Sequence, residues 1–375
     1  MKKLTLIFAV ACLLFSCSNE KTFKISGTLT DFGNTDEPTM LYLKTRTATD
    51  ELINVDSTFV SKQGSFVLKG KSTQTDLYFL ADKDNVFLIR VFVDPGDKIT
   101  ISGEATDAPN VKVQGSKTHE LYKTYLSLLV PIQNKQKEIE QEYYTYQNMD
   151  ISEAEFQKME EELIAKYEQL REDETNITVG FIKDNATSLV AAYLVYRSSV
   201  VLSSSAEIEE QLQWLDPALD NKFITLTKAR IEKIKLTEVG SVLPNIELPD
   251  ADNSLISLET LRGKYVLVDF WASWCGPCVK ETPNLKKAYS KYHDKGFEIY
   301  SISLDHEKSE WTHSIEKLEL NWLHVSDLKA FNSPVAKQIA VSYVPHTFLL
   351  DPNGVIIAVD LREDALENKL AELLK

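Results

Sequence analysis

The sequence predicts an α/β domain at the C-terminus, preceded by a small antiparallel β domain and a helical region. Short apolar runs separated by turn residues fill residues 22–115, and apolar residues recur at helical spacing across 116–238. Strand and helix patterns then alternate from 239 to 375. A chain of 375 residues is long enough to hold several domains of this kind.

The β region consists of short runs bounded by turn clusters such as Gln63-Gly64 and Asp94-Pro95-Gly96-Asp97. The predicted strands are Phe23–Leu29, Met40–Leu43, Ser65–Leu68, Asp76–Leu80, Val86–Val93 and Lys98–Ile101. Such strands favour a sandwich or barrel. The region contains neither cysteine nor histidine, so the sequence indicates no catalytic chemistry there.

The helical region carries an apolar stripe, which includes Tyr122, Tyr125 and Leu129. Glu138–Glu174 is rich in Glu and Gln, which predicts a solvated helix face; a dimerising or partner-binding hairpin is the alternative. Further helices are predicted at Leu189–Leu202 and Ile208–Leu236, and Pro131 and Pro217 each predict a kink or break.

The C-terminal region alternates between strands and helices, which predicts a sheet with parallel and antiparallel parts. Tyr265–Phe270 is apolar on both faces and therefore predicts a buried strand. The other predicted elements are strand Phe297–Leu304, helices Val279–His293, Lys308–Leu318 and Ser333–Ile339, the hairpin Thr347–Leu350 with Val355–Val359, and the terminal helix Glu363–Leu374.

The motif Trp274-Cys275-Gly276-Pro277-Cys278 follows this buried strand directly and precedes a predicted helix. Two thiols are thereby placed at a helix N-terminus, where free amides and the helix dipole stabilise a thiolate. Cys275 is expected to cap the helix with its sulfur exposed, and Cys278 lies one turn deeper within disulfide reach. The spacing predicts a reversible dithiol/disulfide couple, and hence a redox enzyme.

Half of a zinc site and a structural disulfide are the alternatives for two cysteines at this spacing, but zinc needs two more ligands. The other cysteines, Cys12 and Cys17, lie at the far N-terminus, and the six histidines form no His-x3–5-His pair. We therefore expect a redox pair, with no metal and no cofactor.

Two carboxylates accompany the cysteines. Asp269 lies in the apolar strand, where burial should raise its pKa and suit it to shuttle protons. Glu281 follows Cys278 by one helical turn and either tunes the thiols or faces solvent. Pro277 stiffens the loop between the cysteines, and Pro345 opens the strand expected to pass the disulfide.

The segment Val268–Cys278, together with Pro283 and Val344-Pro345, resembles thioredoxin, and residues 240–375 resemble the membrane-anchored TlpA/ResA thiol–disulfide oxidoreductases. The resemblance implies a thioredoxin fold over 239–375, with Cys275 as nucleophile, Cys278 as resolving thiol and a cis Pro345 facing the disulfide. It also implies that Trp274, Gly276 and Pro277 shape the loop.

Two positions depart from the pattern of this family. Asp269 matches the buried aspartate of thioredoxin and Glu281 the active-site glutamate of the TlpA/ResA proteins, many of which carry Asn where Asp269 stands. His346 occupies a position often held by Thr. Residues 22–236 are similar to the N-terminal region of envelope thioredoxins of the Bacteroidetes, a resemblance that assigns no function.

The N-terminus has the pattern of a bacterial lipoprotein signal peptide over residues 1–17. Lys2 and Lys3 precede the short apolar segment Leu4–Phe15, and Cys17 then stands before polar residues, as a lipidated cysteine does. An ordinary signal peptide or a retained membrane span are the alternatives. The pattern predicts a lipid anchor at Cys17 in the cell envelope, facing the periplasm.

The formal net charge of −15, with no basic stripe, excludes nucleic acid as an expected partner. We expect a reductase of protein disulfides whose partners are disulfide-containing envelope proteins, apocytochrome c among the candidates, and a membrane electron donor. A peroxiredoxin-like peroxidase is the enzyme alternative, although its Pro-x3-Thr-x2-Cys setting is absent from the sequence. A lipid-anchored binding module is the non-enzyme alternative.

Overall fold

The computed structural model describes residues 20–32, 39–84, 88–149, 151–202 and 204–375. The chain forms two compact units that divide between Val190 and Ala191. The predicted boundaries at 115/116 and 238/239 are finer than this division and stay predictions. The predicted signal peptide with Cys17 lies outside the described residues, as do the first residues of the strand predicted at Val86–Val93.

The first unit contains two β-sheets that share one apolar core. Its described strands are β1 (Lys21–Thr30), β2 (Met40–Arg46), β3 (Leu52–Phe59), β4 (Ser65–Ser72), β5 (Asp76–Ala81), β6 (Leu88–Val93), β7 (Lys98–Glu104) and β8 (Lys112–Gln114). The sheets have the orders β4-β1-β7-β8 and β3-β2-β5-β6. Neighbouring strands are antiparallel except β1 and β7, which are parallel. Phe23 and Ile99 from one sheet pack with Leu41 and Leu80 from the other, which makes the unit a sandwich.

Two long helices, α1 (Lys117–Gln147) and α2 (Glu153–Asp184), follow the sandwich as an antiparallel hairpin. The Tyr125 hydroxyl lies 3.0 Å from the Thr178 hydroxyl, and the Tyr125 ring is 5.2 Å from the Phe181 ring. The second helix begins with a capping box, in which Ser152 and Glu155 each bind the backbone amide of the other.

The second unit has a central mixed sheet between helices. Its described elements are α3 (Leu189–Ser199), α4 (Ser205–Gln213), α5 (Lys222–Lys235), β9 (Glu247–Pro249), β10 (Leu255–Ser257), β11 (Tyr265–Trp271), α6 (Gly276–Tyr292), β12 (Phe297–Ser303), α7 (Lys308–Leu318), β13 (Leu323–Val325), α8 (Pro334–Gln338), β14 (His346–Leu350), β15 (Ile356–Val359) and α9 (Glu363–Leu373). The sheet order is β13-β12-β11-β14-β15. The first three strands are parallel and the last two antiparallel to their neighbours, as in the predicted thioredoxin fold.

The central strand β11 determines which side chains face the redox helix. Alternate residues of a strand point to opposite faces of the sheet. Val268 and Phe270 pack into the core on one face. Leu267 packs on the other face with residues of α6 and α9. Asp269 therefore faces α6.

Among the described residues, no helix is long and apolar enough to cross a membrane.

Candidate redox site

Cys275 and Cys278 form a disulfide at the N-terminal end of α6, and their Cα atoms are 5.3 Å apart. Cys275 caps the helix, and Cys278 lies in its first turn. The Cys278 amide donates a hydrogen bond to the Cys275 sulfur over 3.2 Å. The first amides of a helix lack intrahelical acceptors. In the reduced protein, this helix end therefore offers a donor and a favourable dipole to a thiolate at Cys275.

The prediction of an exposed sulfur at Cys275 is wrong, because Cys275 has only 4% of its surface exposed and Cys278 only 5%. Both cysteines pack in an apolar cluster with Trp271, Trp311 and Leu320. Trp311 lies on α7 and Leu320 just beyond it. The burial thus comes from a segment distant in sequence, which the local motif does not encode.

Asp305 anchors the backbone that leads into the cysteine loop. This fully buried residue follows β12, and its carboxylate accepts hydrogen bonds from the Ser273 amide at 3.1 Å, the Ser273 hydroxyl at 2.6 Å and the Ser303 hydroxyl at 2.7 Å. Several donors to one buried carboxylate fix its position and theirs. Because parallel neighbours end at the same edge of a sheet, β12 delivers Asp305 beside the loop after β11.

Asp269 is 5% exposed, and its Oδ2 accepts a hydrogen bond of 2.9 Å from the Ser301 hydroxyl. The Ser301 oxygen in turn accepts one of 2.8 Å from the Trp322 indole. Burial raises the pKa of Asp269 from 3.8 to about 6, against the lowering effects of the Ser301 hydrogen bond and the Arg362 charge. A carboxyl group with this pKa can both take and release a proton near neutral pH.

A small cavity brings the predicted site residues together. Asp269, Cys278, Glu281 and Pro345 all line it, and Arg362 contributes a cation. Of the two cysteines, only Cys278 is among the described residues that line this cavity. The geometry therefore associates the carboxylates with the sulfur of Cys278.

Glu281 has a defined position. Its Oε1 accepts a hydrogen bond of 2.8 Å from the Glu363 amide at the start of α9, and its Oε2 accepts one of 3.1 Å from the Asn284 side chain. A helix N-terminus favours a nearby carboxylate. Of the two alternatives left open by the sequence, the structure favours a residue held at the cavity over one that only faces solvent.

The peptide bond between Val344 and Pro345 is cis. The Arg362 guanidinium donates to the Pro345 carbonyl at 2.7 Å and to the Thr347 hydroxyl at 3.0 Å. Arg362 therefore holds the start of β14 while its charge lies in the cavity wall. Sequence analysis did not single out this residue.

Asp360 supports the same strand from the neighbouring hairpin. Its carboxylate accepts hydrogen bonds from His346 Nδ1 at 2.9 Å, the Thr347 amide at 3.0 Å and the Tyr343 hydroxyl at 2.9 Å. Burial by itself would raise the pKa of Asp360, but these hydrogen bonds and the charge of His346 lower it below its usual value. His346, the position that departs from the family pattern, is thus held by an ionised carboxylate.

The described residues contain no group of His, Cys, Asp and Glu side chains placed to hold a metal ion. The sequence analysis also missed Ser301, Asp305 and Asp360, which hold the predicted residues in place. Only Asp305 carried a usable signal, because a polar residue directly after a buried parallel strand lies at the same sheet edge as the cysteine loop.

Comparison with known proteins identifies the family. The AhpC/TSA family model matches residues 239–359, and a domain of unknown function, DUF4369, matches residues 23–122. The thiol–disulfide oxidoreductase ResA of Bacillus cereus is 29% identical over 151 residues, which cover 40% of this chain and 85% of that protein. ResA of Oceanobacillus iheyensis is 32% identical over 146 residues, which cover 37% of this chain and 74% of that protein. The chain belongs to the ResA-type thiol–disulfide oxidoreductases.

Solved structures similar to this ResA-type protein include thiol–disulfide oxidoreductases from two Bacteroides species. The thioredoxin domain of a thiol–disulfide oxidoreductase from Bacteroides vulgatus is 39% identical and covers 37% of this chain and 99% of that one, with a TM-score of 0.35. A thiol–disulfide oxidoreductase from Bacteroides fragilis is 36% identical and covers 36% of this chain and 100% of that one, with a TM-score of 0.34. The redox pair of the ResA-type oxidoreductase lies within residues 239–359, the range that the AhpC/TSA family model matches.

Proposed function

We propose that this oxidoreductase reduces disulfides of protein substrates in the cell envelope through Cys275 and Cys278. The observation that carries the proposal is the disulfide at the N-terminus of α6, next to a cavity that holds a buried carboxyl group and the cis proline. Cys275 is the attacking residue because it caps the helix, where a thiolate is stabilised. Cys278 is the resolving residue because it shares the cavity with Asp269 and Glu281.

The proposed reaction proceeds by two thiol–disulfide exchanges. The Cys275 thiolate attacks one sulfur of the substrate disulfide, forms a mixed disulfide and releases the other substrate sulfur as a thiolate. Cys278 then loses its proton and attacks the Cys275 sulfur, which closes the intramolecular disulfide and releases the second substrate thiolate. Two electrons pass from the enzyme to the substrate, and a dithiol donor at the membrane must return them.

The proton of Cys278 moves during the second exchange. Asp269 is the acceptor that we favour. Its pKa of about 6 leaves the carboxyl group ionised at neutral pH, and its burial gives it a higher affinity for a proton than an exposed carboxylate has. Glu281 lines the same cavity and is the alternative acceptor.

A reducing couple is the first expected result. Gly276 and Pro277 between the cysteines resemble the thioredoxin dipeptide, so we expect a midpoint potential nearer about −270 mV than the value of about −120 mV of a strong oxidant. Equilibration with glutathione buffers measures it. A potential above about −180 mV would contradict the reductase proposal. Faster turnover of hydrogen peroxide than of insulin disulfides in the same preparation would favour the peroxidase alternative.

Lipid attachment at Cys17 is the second expected result, and it is motivated by the charged, apolar and polar order of residues 1–21. Buried acyl methylenes contribute about 0.8 kcal/mol each, so a diacyl group would hold the protein at the membrane. We expect Cys17→Ser to abolish lipid labelling and leave an uncleaved precursor, whereas Cys12→Ser leaves both unchanged. A wild-type protein whose mature N-terminus lies elsewhere would refute the anchor without affecting the redox proposal.

A further inference from the structure

The loop that precedes Pro345, residues 339–344, has two sides with different neighbours. Ile339 and Val341 point into the core of the thioredoxin fold, where they are 2% and 6% exposed. Ala340 instead packs against the apolar cluster that Ile231 forms with other residues of α4 and α5. Ser342 also faces these helices, because its hydroxyl donates a hydrogen bond of 2.7 Å to the Val200 carbonyl. Alternate residues of the loop thus belong to different packing layers.

Arg230 on α5 links the two layers. Its Nη2 donates to the Ala340 carbonyl at 3.3 Å, to the Ser342 hydroxyl at 3.3 Å and to the Val200 carbonyl at 2.9 Å. Its Nε donates to the Ser199 carbonyl. The planar guanidinium therefore joins the end of α3, through Nε and Nη2, to Ala340 and Ser342 of the loop, through Nη2 alone.

The conformation of the loop requires such an anchor. Ala340 has φ +57°, in the left-handed region that residues with a side chain rarely adopt. Strained backbone of this kind persists only where the surroundings hold it. Arg230 holds the loop at Ala340, and Arg362 holds the Pro345 carbonyl at its other end. The backbone between these two contacts, from Ala340 to Pro345, includes Tyr343 and ends at the cis peptide bond.

We propose that Arg230 is a positioning residue for the redox site, and that α3 and α5 thereby take part in substrate binding by fixing the loop that presents Pro345. This inference rests on the proposed function, and it adds that the substrate chain docks against Pro345, the cis proline in the wall of the cavity that Cys278 lines. Arg230 is not among the described residues that line the cavity of Cys278 and Asp269. Its loss should therefore affect protein substrates and leave the thiol chemistry unchanged.

The variant Arg230→Met tests the proposal in the full chain. We expect KM for insulin to rise about fivefold, the effect of losing a hydrogen-bonded anchor, while kcat stays within about twofold. The midpoint potential and the turnover of a small aromatic disulfide should not change. Arg230→Lys should recover part of the lost affinity. The matched control is Lys228→Met, which removes the same charge from an exposed position on the same helix and should behave as wild type.

Ser342→Ala tests the same contact from the loop side, which covers the case that Arg230→Met does not fold. The double variant should cost less than the sum of the single ones, because both remove one interaction. An unchanged KM in both single variants would overturn the inference. Equal losses with insulin and with the small disulfide would also overturn it, because they indicate a general disturbance of the fold.

A failure of the proposed function can be told apart from a failure of this inference. If the wild-type protein does not reduce insulin, the proposed function is wrong. The role of Arg230 can then be tested without any activity assay, by measuring hydrogen exchange of the backbone amides of residues 340–344. Faster exchange there in Arg230→Met than in Lys228→Met supports the anchor. Equal exchange in the two variants overturns it.

Discussion

Replacing Cys275 with serine is expected to lower disulfide reduction by about a thousandfold or more, to the level of the buffer reaction. A hydroxyl group at the N-terminus of α6 cannot form the mixed disulfide through which the electrons pass. The change is nearly isosteric in an apolar cluster, so the fold should survive, as the circular dichroism spectrum would show. The measurement is insulin reduction with a chemical dithiol as electron donor. Retention of more than a tenth of the activity would assign the attack to another group.

Cys278→Ala is the variant matched to Cys275→Ser, because it removes the other sulfur of the same pair. We expect a different outcome from it. The first exchange should proceed, and the mixed disulfide with Cys275 should then accumulate because nothing resolves it. A complex that disappears on treatment with dithiothreitol, and that is absent when Cys275 is also serine, is the expected result. Mass spectrometry of such complexes formed in the envelope would identify the natural substrates.

Asp269→Asn is expected to slow the resolving step by about a hundredfold while the first exchange remains within a few-fold of wild type. The carboxylate can accept the Cys278 proton, whereas the amide cannot. In the wild-type protein the rate of resolution should rise as the pH increases through about 6, where Asp269 loses its proton. The variant should lack this inflection. Rapid-mixing measurements of mixed-disulfide decay between pH 5 and 9 test the prediction, and Glu281→Gln is the control. Unchanged decay in Asp269→Asn would transfer the role to Glu281 or to solvent.

The same substitution should stabilise the oxidised protein at neutral pH. Between the unfolded pKa of 3.8 and the folded pKa of about 6, the folded state keeps a proton that the unfolded state has lost. Stability therefore falls as the pH rises through this window, and above it the full cost of a buried charge is present. A pKa difference of about two corresponds to at most about 3 kcal/mol in the free energy of unfolding. Asp269→Asn should recover this amount at pH 8 and not at pH 4.

Urea unfolding at pH 4 and pH 8, followed by tryptophan fluorescence, measures this change in stability. All five tryptophans, Trp214, Trp271, Trp274, Trp311 and Trp322, lie in the second compact unit, so the signal reports on the unit that contains Asp269. An equal gain in stability at pH 4 and pH 8 would contradict the assigned pKa. It would indicate that the amide is simply better packed.

The elements with strong local patterns could be predicted from the sequence. The apolar run Tyr265–Phe270 became β11, and the helix predicted at Lys308–Leu318 has those bounds in the structure. Strand β3 was missed: it is largely exposed, and its apolar residues Leu52, Ile53, Val55 and Phe59 do not alternate regularly over the whole strand. The short strands β8 and β13 were also missed, since three residues carry too little pattern to separate a strand from a loop.

The candidate site divides in the same way. Cys275 and Cys278 are recognisable because strand, thiols and helix follow one another without a gap in the sequence. Asp269 was predicted because a carboxylate among apolar residues is costly and therefore conspicuous. Arg362 was not, because its role arises only when β14, β15 and α9 are placed beside the cysteine helix. The burial of Cys275 depends in the same way on a tertiary contact with Trp311.

Gly276 is the first residue of α6, and a Cβ atom built on it would meet no heavy atom within 4 Å. Its φ does not lie in the left-handed range, so neither space nor backbone conformation demands glycine there. Ser273 and Asp305 meanwhile hold the chain just before the motif. A residue with a side chain can therefore replace Gly276 without disturbing the scaffold. At this position between the two sulfurs, the chemistry of the redox pair can be altered while the architecture is kept.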